Sequence, residues 1–464
     1  MFLGREEELG KLEGLYRAKG FQFPVIYGRR RVGKTALINE FIKGKEAIFF
    51  TGIESNARQN LENFSRAVLS YADAAGADAV FPSFQAGLEY VFRLAEKRRL
   101  ILVIDEYPYV AKASKSFASV LQALIDKNKG ASQLFLVLCG SSMSFMENNV
   151  LGYKAPLYGR RTAQFKIQPF DFFESRKFFK RFSDLDAAMV YGIVGGTPQY
   201  LLQFDDRMSV KENIKRCFFD QNSPLFEEPP NLLKQETRES ASYNAVIAAI
   251  ASGCTKLSEI STRVGGDTSA SAAQIKNLIA LGIVKKETPI LDKSMRRTVY
   301  IVNDNLFRFW YRFVPDNIAA ITRGFADDVY KRIEPAINDY MGAVFEEICA
   351  QYLWKKRAKG ESLIEFIELG RWWGNDPINK CEAEIDIIGT DGVDAVLFCE
   401  CKWTNKQVDL GILETLLERS RLFRFPKVRI LLFAKTGFTK GCVDKANTLG
   451  NVTLVTFGEM CSRS

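Results

Sequence analysis

A glycine-rich loop near the start of the chain limits the possible folds more than any other feature. Residues 28–35, GRRRVGKT, match the pattern G-x-x-x-x-G-K-[ST] at each fixed position, with the apolar run FPVIY before them and ALINEFIKG after them. In such a strand–loop–helix context, the glycines let the loop curl so that backbone N–H groups face phosphate oxygens. The motif therefore predicts an α/β core with a phosphate-binding loop.

Two side chains at the end of this loop have the chemistry that phosphoryl transfer requires. Lys34 carries an ammonium that would neutralise β- and γ-phosphate oxygens, and Thr35 carries a hydroxyl that would bind Mg²⁺. We therefore predict that Lys34 is catalytic and that Thr35 is a metal ligand. We expect the following residues to contact the nucleotide: Gly28, Arg29, Arg30, Arg31, Val32, Gly33, Lys34, Thr35 and Ala36.

Two carboxylates follow a fully apolar run further along the chain. Residues 100–104, LILVI, predict a buried strand that ends at Asp105 and Glu106. Asp105 would hold Mg²⁺ through water, and Glu106 would orient or deprotonate the water that attacks the γ-phosphate. A further apolar run, LFLVLCG, ends at Ser141 and Ser142, which either sense the γ-phosphate or form an ordinary turn at the end of a strand.

The composition excludes several classes of enzyme. With 0 histidines, the chain has no imidazole base, no Ser-His-Asp triad and no His-ligated zinc. Its 9 cysteines form no C-x-x-C pair, which argues against a zinc ribbon. The net charge of +9 is a mild basic bias that permits nucleic-acid binding without requiring it. Because the sequence shows neither a membrane-length apolar run nor a signal-peptide core, we expect a cytoplasmic protein without membrane partners.

The order of the remaining segments suggests several domains in a chain of 464 residues. Four short apolar runs, FPVIYG, EAIFFTG, LILVIDEY and SQLFLVLCG, alternate with helix-length stretches, which predicts a parallel sheet covered by helices on both faces. The proline-rich run at 223–230, SPLFEEPP, predicts a linker. A helix over 337–356 and strands near IEFIELG, EAEIDIIG, AVLFCECKW and VRILLFA predict a last mixed α/β domain.

Residues 241–303 show the order of elements of a winged helix. Three helical stretches, 243–252, 257–263 and 268–281, precede two β-like segments. We expect five polar residues of the third helix to be exposed and available for reading DNA: Ser269, Ser271, Gln274, Lys276 and Asn277. Lys285, Lys286, Arg296 and Arg297 flank a wing that would contact phosphates. The helix is poor in arginine, so contact with the DNA backbone is better supported than base readout, and protein binding is the alternative.

A second group of charged residues lies on two predicted strands near the C-terminus. Strand alternation places Glu384 and Asp386 on one face of the first strand, and Glu400 and Lys402 on one face of the second. Asp386 and Glu400 would hold Mg²⁺ or Mn²⁺, Lys402 would position or activate a hydrolytic water, and Glu346 could add a carboxylate from the preceding helix. The alternative is a solvated hairpin face with cross-strand Glu–Lys pairs.

These motifs together resemble the prokaryotic, archaeal-type AAA-like ATPases of the STAND class, which often carry a winged helix and a nuclease-like C-terminal domain. FLGREEELGKL resembles the N-terminal box of that family, YGRR at 158–161 its arginine segment, and GGTP at 195–198 the turn at the base of its lid. The resemblance implies ATP and Mg²⁺ as ligands, and it adds Pro198 and Arg160 or Arg161 to the nucleotide contacts. A surface or interhelical salt bridge is the alternative role for the arginines.

The C-terminal residues resemble the PD-(D/E)xK nuclease fold, with Asp386, Glu400 and Lys402 at the motif positions and Ile385 where the motif has proline. The resemblance implies an α/β fold with a P-loop AAA-like ATPase core, a helical lid, a winged helix-turn-helix and a restriction-endonuclease-like α/β domain. We expect the ATPase core, with the lid beginning near its end, at 1–205, the helical lid and linker at 206–235, the winged helix at 236–325 and the nuclease-like domain at 326–464.

Two main hypotheses for function follow. In the first, an ATP-binding and ATP-hydrolysing switch is coupled to DNA, with RNA less favoured, through the winged helix, and the C-terminal domain cuts phosphodiesters with a metal. In the second, the chain is a nucleotide-switched DNA- or protein-binding regulator that does not cut. A chaperone-like remodeller that assembles into rings has weaker support. The protein partner and the oligomeric state are left open.

Overall fold

The computed structural model describes residues 2–72, 79–237, 239–292 and 295–462. Its α-helices are α1 Glu6–Arg17, α2 Lys34–Ile42, α3 Ala57–Ala72, α4 Phe84–Leu94, α5 Tyr107–Ala113, α6 Phe117–Asn128, α7 Met143–Phe145, α8 Phe172–Ser175, α9 Asp184–Val194, α10 Pro198–Leu201, α11 Val210–Phe218, α12 Glu228–Glu236, α13 Ser240–Ala251, α14 Leu257–Val264, α15 Thr268–Ala280, α16 Asn305–Phe313, α17 Ile318–Thr322, α18 Ala326–Ala358, α19 Leu410–Ser420, α20 Lys440–Leu449 and α21 Phe457–Ser462. Its strands are β1 Pro24–Tyr27, β2 Ala47–Thr51, β3 Leu100–Asp105, β4 Leu134–Gly140, β5 Ala163–Lys166, β6 Val284–Glu287, β7 Val299–Val302, β8 Glu368–Asp376, β9 Cys381–Thr390, β10 Ala395–Lys402, β11 Lys427–Ala434 and β12 Val452–Thr456.

Two compact units divide these elements. The first comprises the chain up to Pro169 together with Thr197–Gln199, and the second comprises Phe170–Gly196 and the chain from Tyr200 onwards. The second unit therefore includes both the three-helix segment with its β-hairpin and the C-terminal sheet. The bounds of the four predicted domains stay predictions.

The first unit is built on a five-stranded parallel sheet with the order β2-β3-β4-β1-β5. The four strands predicted from apolar runs are β1 to β4, so the predicted parallel sheet is confirmed. Strand β5 was not predicted because its sequence, AQFK, has no apolar run. Since β1, β3 and β4 are neighbours and run in the same direction, the residues that follow their carboxyl ends meet at one edge of the sheet.

The core of the first unit lies on both faces of this sheet. Alternate residues of β3 point to opposite sides, so that Leu102 packs with one apolar layer and Val103 with the other. All six residues of β3 are buried, as expected for a central parallel strand. This burial fixes the position of the strand end that carries Asp105 and Glu106.

The proline-rich segment at 223–230 is packed within the second unit and is not an extended linker. Leu225 and Phe226 are buried, and the Trp310 indole Nε1 donates a hydrogen bond to the Phe226 carbonyl at 2.6 Å. Pro229 and Pro230 occupy the first turn of α12, where a missing N–H costs no helical hydrogen bond. The prolines indicated a linker. The prediction failed because composition does not report the tertiary contacts of Leu225 and Phe226.

The segment after α12 contains the elements in the predicted order. Helices α13, α14 and α15 begin and end within a turn of the predicted bounds, and the antiparallel pair β6–β7 follows them. The expected exposure of Ser271 is wrong, because its side chain is buried on the inner face of α15. Ser269, Lys276 and Asn277 are exposed on the same helix.

The C-terminal sheet is mixed, with the order β12-β11-β10-β9-β8. Strand β9 is antiparallel to both of its neighbours, β8 and β10, whereas β10, β11 and β12 run parallel to one another. Helix α18 begins before Pro335 and not after it as predicted, because Val329, Tyr330 and Ile333 are buried and stabilise the added turns. Strand β8 begins at Glu368, within the predicted segment IEFIELG but four residues after its start. Strand β12 was not predicted.

Candidate functional sites

The phosphate loop follows β1 and ends at α2, as its sequence predicts. Arg31 and Gly33 have φ values of 72° and 91°, so the backbone curls through the left-handed region. A Cβ atom on Gly28 would lie 2.4 Å from the carbonyl oxygen of Ile167, which only glycine avoids. The loop therefore has the tight curvature with which backbone N–H groups cradle phosphates.

The two predicted catalytic side chains of the loop are held in place by oxygen atoms. Lys34 is buried, and its Nζ donates hydrogen bonds to the carbonyls of Gly28 at 2.9 Å and Arg29 at 2.8 Å. Burial lowers the pKa of Lys34. The Thr35 hydroxyl donates to Oδ2 of Asp105 at 3.1 Å. The structure thus joins the loop to the carboxylate at the end of β3.

Glu106 lies at the same edge of the sheet in a strained conformation. Its φ of 48° is left-handed, which is uncommon for a residue with a side chain, and the Asp105 carboxylate accepts a hydrogen bond from its N–H at 3.0 Å. The Ser141 hydroxyl, at the end of β4, donates to Oε1 of Glu106 at 2.5 Å. Of the two candidate serines, Ser141 therefore contacts the predicted base, whereas Ser142 precedes helix α7 without a side-chain cap.

Two residues that support the loop were not predicted from the sequence. The Arg5 guanidinium donates to the carbonyls of Val32, at 3.2 Å, and Gln168. Arg30 donates to the Tyr109 hydroxyl at 3.0 Å. The N-terminal box contains Arg5 and could have indicated it, but no pattern in the sequence points to Tyr109.

The structure separates Pro198 and Arg160, which were predicted to share the nucleotide site. The Pro198 ring lies 3.6 Å from the position of a Cβ on Gly33, beside the loop. Arg160 instead forms an ion pair with Asp126 at 2.7 Å and donates to the carbonyls of Pro156 and Tyr158. These contacts use most of the N–H donors of Arg160. They correspond to the alternative role given for the arginines, a surface or interhelical salt bridge.

The oxygen atoms near the phosphate loop fit a magnesium ion. Among the described residues there is no group of three or more Cys, Asp or Glu side chains arranged to hold a metal. Mg²⁺ bound with substrate phosphates needs no such group, because it takes one or two protein oxygens and completes its shell with phosphates and water. The hydroxyl of Thr35 and the carboxylate of Asp105 supply such oxygens.

The C-terminal charged residues converge where β9 is irregular. Trp372 pairs with Ile385 and Gly370 with Ile388, so the single residue Arg371 stands opposite both Asp386 and Ile387. At this β-bulge, Oδ2 of Asp386 accepts a hydrogen bond from the Cys401 N–H at 2.8 Å. Ile385 packs with Ala383 in the apolar layer on the other face of β9, so the predicted shared face of Glu384 and Asp386 is kept, and the irregularity falls between Asp386 and Ile387.

Asp386, Glu400 and Lys402 come together, as predicted. The Lys402 Nζ lies 2.5 Å from Oε1 of Glu400 and 4.0 Å from Oδ2 of Asp386. Burial raises the pKa of Asp386 and of Glu400, whereas these two carboxylates raise the pKa of Lys402 against the effect of its burial. The buried Oε2 of Glu400 has no hydrogen-bond partner. An unpartnered carboxylate oxygen beside Asp386 fits a divalent cation.

Arg371 and Glu346 complete this charged cluster. The Arg371 guanidinium lies 3.3 Å from Glu346, 3.8 Å from Glu384 and 3.8 Å from Glu287. Burial, followed by the charge of Asp386, raises the pKa of Glu346 to about 7. Glu384 also contacts Arg371, and its side chain is exposed. The sequence did not indicate Arg371 as a member of this cluster.

Comparison with known proteins identifies the family. Residues 2–204 match a family described as an ATPase domain predominantly from Archaea. A protein of Methanocaldococcus jannaschii named only as uncharacterized is 33% identical over 413 residues, which cover 87% of this chain and 88% of that protein. The chain belongs to this archaeal ATPase family. It is an ATPase that binds ATP.

Further similarities agree with this archaeal ATPase assignment. An "uncharacterized ATP-binding protein" of M. jannaschii is 46% identical over 46 residues, 10% of this chain and 78% of that protein. The Walker-type ATPase PABY2304 of Pyrococcus abyssi covers 67% of this chain and 96% of its own with a TM-score of 0.50 and 19% identity, which shows a shared fold. Residues 310–412 match a family described as archaeal and bacterial proteins of unknown function.

Within residues 2–72, 79–237, 239–292 and 295–462, none of the helices is both long enough and apolar enough to cross a membrane.

Proposed function

We propose that the chain is an ATP-driven switch that acts on nucleic acid and cuts it with its C-terminal carboxylate site. The ATP-dependent part rests on two hydrogen bonds at one edge of the sheet. Thr35 donates to Asp105, and Ser141 donates to Glu106. A loop that binds phosphates, a magnesium-binding pair and a carboxylate base are the parts that ATP hydrolysis needs.

Each residue at this edge has a distinct proposed role. Lys34 and the backbone of residues 28–36 bind the phosphates, and Thr35 and Asp105 hold Mg²⁺, which neutralises charge on the phosphate oxygens. Glu106 accepts the proton of the attacking water, and Ser141 orients the Glu106 carboxylate. Because the hydrogen bond from Ser141 fixes one carboxylate oxygen, the other is free to face the water.

At the C-terminal site, Asp386 and Glu400 would hold Mg²⁺ or Mn²⁺, which would stabilise charge on a phosphodiester. Lys402 would orient the water that attacks phosphorus, so that the P–O bond to the leaving nucleotide breaks. The orphaned Oε2 of Glu400 supports this assignment. DNA is the proposed substrate, and the hairpin residues Lys285 and Lys286 would add contacts to its phosphates.

A second candidate function is a regulator that binds nucleic acid without cutting it. The close pairing of Lys402 with Glu400 and of Arg371 with Glu346 favours it, because these cations already neutralise carboxylates that a metal would need.

A cleavage assay separates the two functions. The full-length protein is incubated with single-stranded DNA, double-stranded DNA or RNA, with Mg²⁺ or Mn²⁺, in the presence and absence of ATP. We expect metal-dependent cleavage that disappears in Asp386→Asn, Glu400→Gln and Lys402→Ala and persists in the matched control Glu368→Gln, an exposed residue of β8. Binding without cleavage under all conditions would contradict the nuclease and support the regulator.

A further inference from the structure

A basic cleft lies beside the C-terminal carboxylates within the second unit. It has a volume of 510 Å³. One wall comes from the start of α14 and from the β6–β7 hairpin, and the other comes from β8, β9 and α19. The cations that line it are Lys256, Arg296, Arg297 and Arg419.

The charge of the cleft favours an anionic occupant. Four cations line it against the two carboxylates of Glu382 and Glu384. Lys256 and Arg296 are exposed, and Arg297 pairs with Asp292 at 3.3 Å. A concave surface with an excess of cations concentrates phosphate-bearing molecules.

An aromatic ring on the cleft wall narrows the class of occupant. Trp373 is partly exposed, and it pairs with Glu384 across the β8–β9 ladder. Aromatic rings beside a basic groove are the recurring means of binding single-stranded nucleic acid, because every base can stack on them. A volume in the range of about 300–1,000 Å³ suits a small ligand, so the cleft can take about one or two nucleotides but not a duplex.

The cleft also leads toward the carboxylate site. Glu384, which lines it, precedes Asp386 by two positions on β9, a distance of about 7 Å along a strand. The Arg419 Nη1 donates to the Glu384 carbonyl at 2.7 Å, which holds this cation of the cleft two positions from Asp386. A strand held in the cleft therefore passes close to Asp386 and Glu400.

We propose that this cleft binds single-stranded nucleic acid, with its cations on the phosphates and Trp373 stacked on a base, and guides the strand to the carboxylate site. The destination of the strand rests on the proposed function, whereas binding in the cleft does not require cleavage.

The test is equilibrium binding of a fluorescein-labelled oligothymidylate to the full-length protein in EDTA, followed by fluorescence anisotropy. The double variant Lys256→Gln/Arg296→Gln should bind about 10-fold or more weakly. Its slope of log affinity against log salt should be smaller by about 1.4, since each phosphate contact on a single strand contributes about 0.7. Trp373→Leu should weaken binding about 5- to 150-fold, the range for one lost base stack.

Two further variants give results that general damage to the fold would not produce. Glu382→Gln should bind more tightly than the parent, because it removes a negative charge from the cleft. The matched control Arg429→Gln/Lys445→Gln removes two exposed cations of β11 and α20, outside the cleft, and should bind as the parent does. Oligouridylate and a DNA duplex serve as comparison ligands.

The outcomes distinguish this inference from the proposed cleavage. No binding by the parent, equal binding by the cleft and control double variants, or duplex binding that is tighter and insensitive to Trp373→Leu would overturn the cleft assignment. Cleft-dependent binding of either oligonucleotide without cleavage would support the cleft and contradict the nuclease. Cleavage that the cleft variants leave unchanged would support the nuclease and overturn the guiding of the strand from the cleft to the carboxylate site.

Discussion

The phosphate loop and the C-terminal carboxylate site differ in how their charges are balanced. At the loop, Lys34 is held by neutral carbonyls of its own backbone, and its charge remains available to an anion. At the C-terminal site, Lys402 is paired with Glu400, and Arg371 lies among three carboxylates. The loop is therefore organised to receive phosphates, whereas the charges of the C-terminal cluster are already paired with one another.

The largest expected effect concerns Glu106. Glu106→Gln keeps the shape of the side chain but removes the base, so ATP hydrolysis should slow by about 100-fold or more while ATP affinity stays unchanged. Phosphate release measures the rate, and calorimetry measures the affinity. Glu54→Gln, an exposed residue of the same unit, is the control. Equal hydrolysis by Glu106→Gln and the parent would refute the assignment of the base.

The second prediction tests whether the C-terminal charges depend on each other. Arg371→Gln leaves the partly buried carboxylates of Glu287 and Glu346 without this cation, so the free energy of unfolding should fall by about 2 kcal/mol, between the values for exposed and buried pairs. The double variant Arg371→Gln/Glu346→Gln should recover part of this loss. Urea unfolding gives both values, with Arg429→Gln as the control. A double variant less stable than Arg371→Gln would contradict the pairing.

A smaller effect is expected from the serine at the end of β4. Ser141→Ala removes the hydrogen bond to Glu106, so hydrolysis should slow by about 10-fold, equivalent to about 1.4 kcal/mol. The neighbouring variant Ser142→Ala should hydrolyse ATP at the rate of the parent. If Ser142→Ala had the larger effect, the orientation of Glu106 by Ser141 would be wrong.

The smallest effect is expected from Arg160. Its ion pair with Asp126 is partly exposed, and such pairs contribute about 0–1 kcal/mol to stability. Arg160→Gln should therefore change both the melting temperature and ATP hydrolysis only slightly. A loss of hydrolysis comparable to that of Glu106→Gln would show that Arg160 reaches the nucleotide, as the family resemblance implies.

The sequence predicts the first site well because its chemistry lies in contiguous residues. The loop, Asp105 and Glu106 directly follow apolar runs that can only be buried strands, and parallel pairing brings the strand ends together. Pro198 is found beside the loop, but the support from Tyr109 depends on how α5 packs, which no local pattern reports.

The C-terminal site is less predictable because its geometry depends on strand register. The bulge opposite Arg371 arises from pairing between β8 and β9, and alternation within β9 cannot reveal it. Arg371, which lies opposite the bulge, contacts Glu346 and Glu384. The start of α18 was misjudged for a related reason, since tertiary burial of Ile333 outweighs the local cost of Pro335.

The most direct test of the account is calorimetric titration of the protein with ATP and Mg²⁺, using the parent and Lys34→Ala. Lys43→Ala, an exposed lysine just after α2, serves as the matched control. We expect one ATP-binding site in the parent and in Lys43→Ala. We expect no detectable ATP binding in Lys34→Ala, because this variant loses the ammonium that binds the phosphates. Equal affinity in Lys34→Ala and the parent would contradict it.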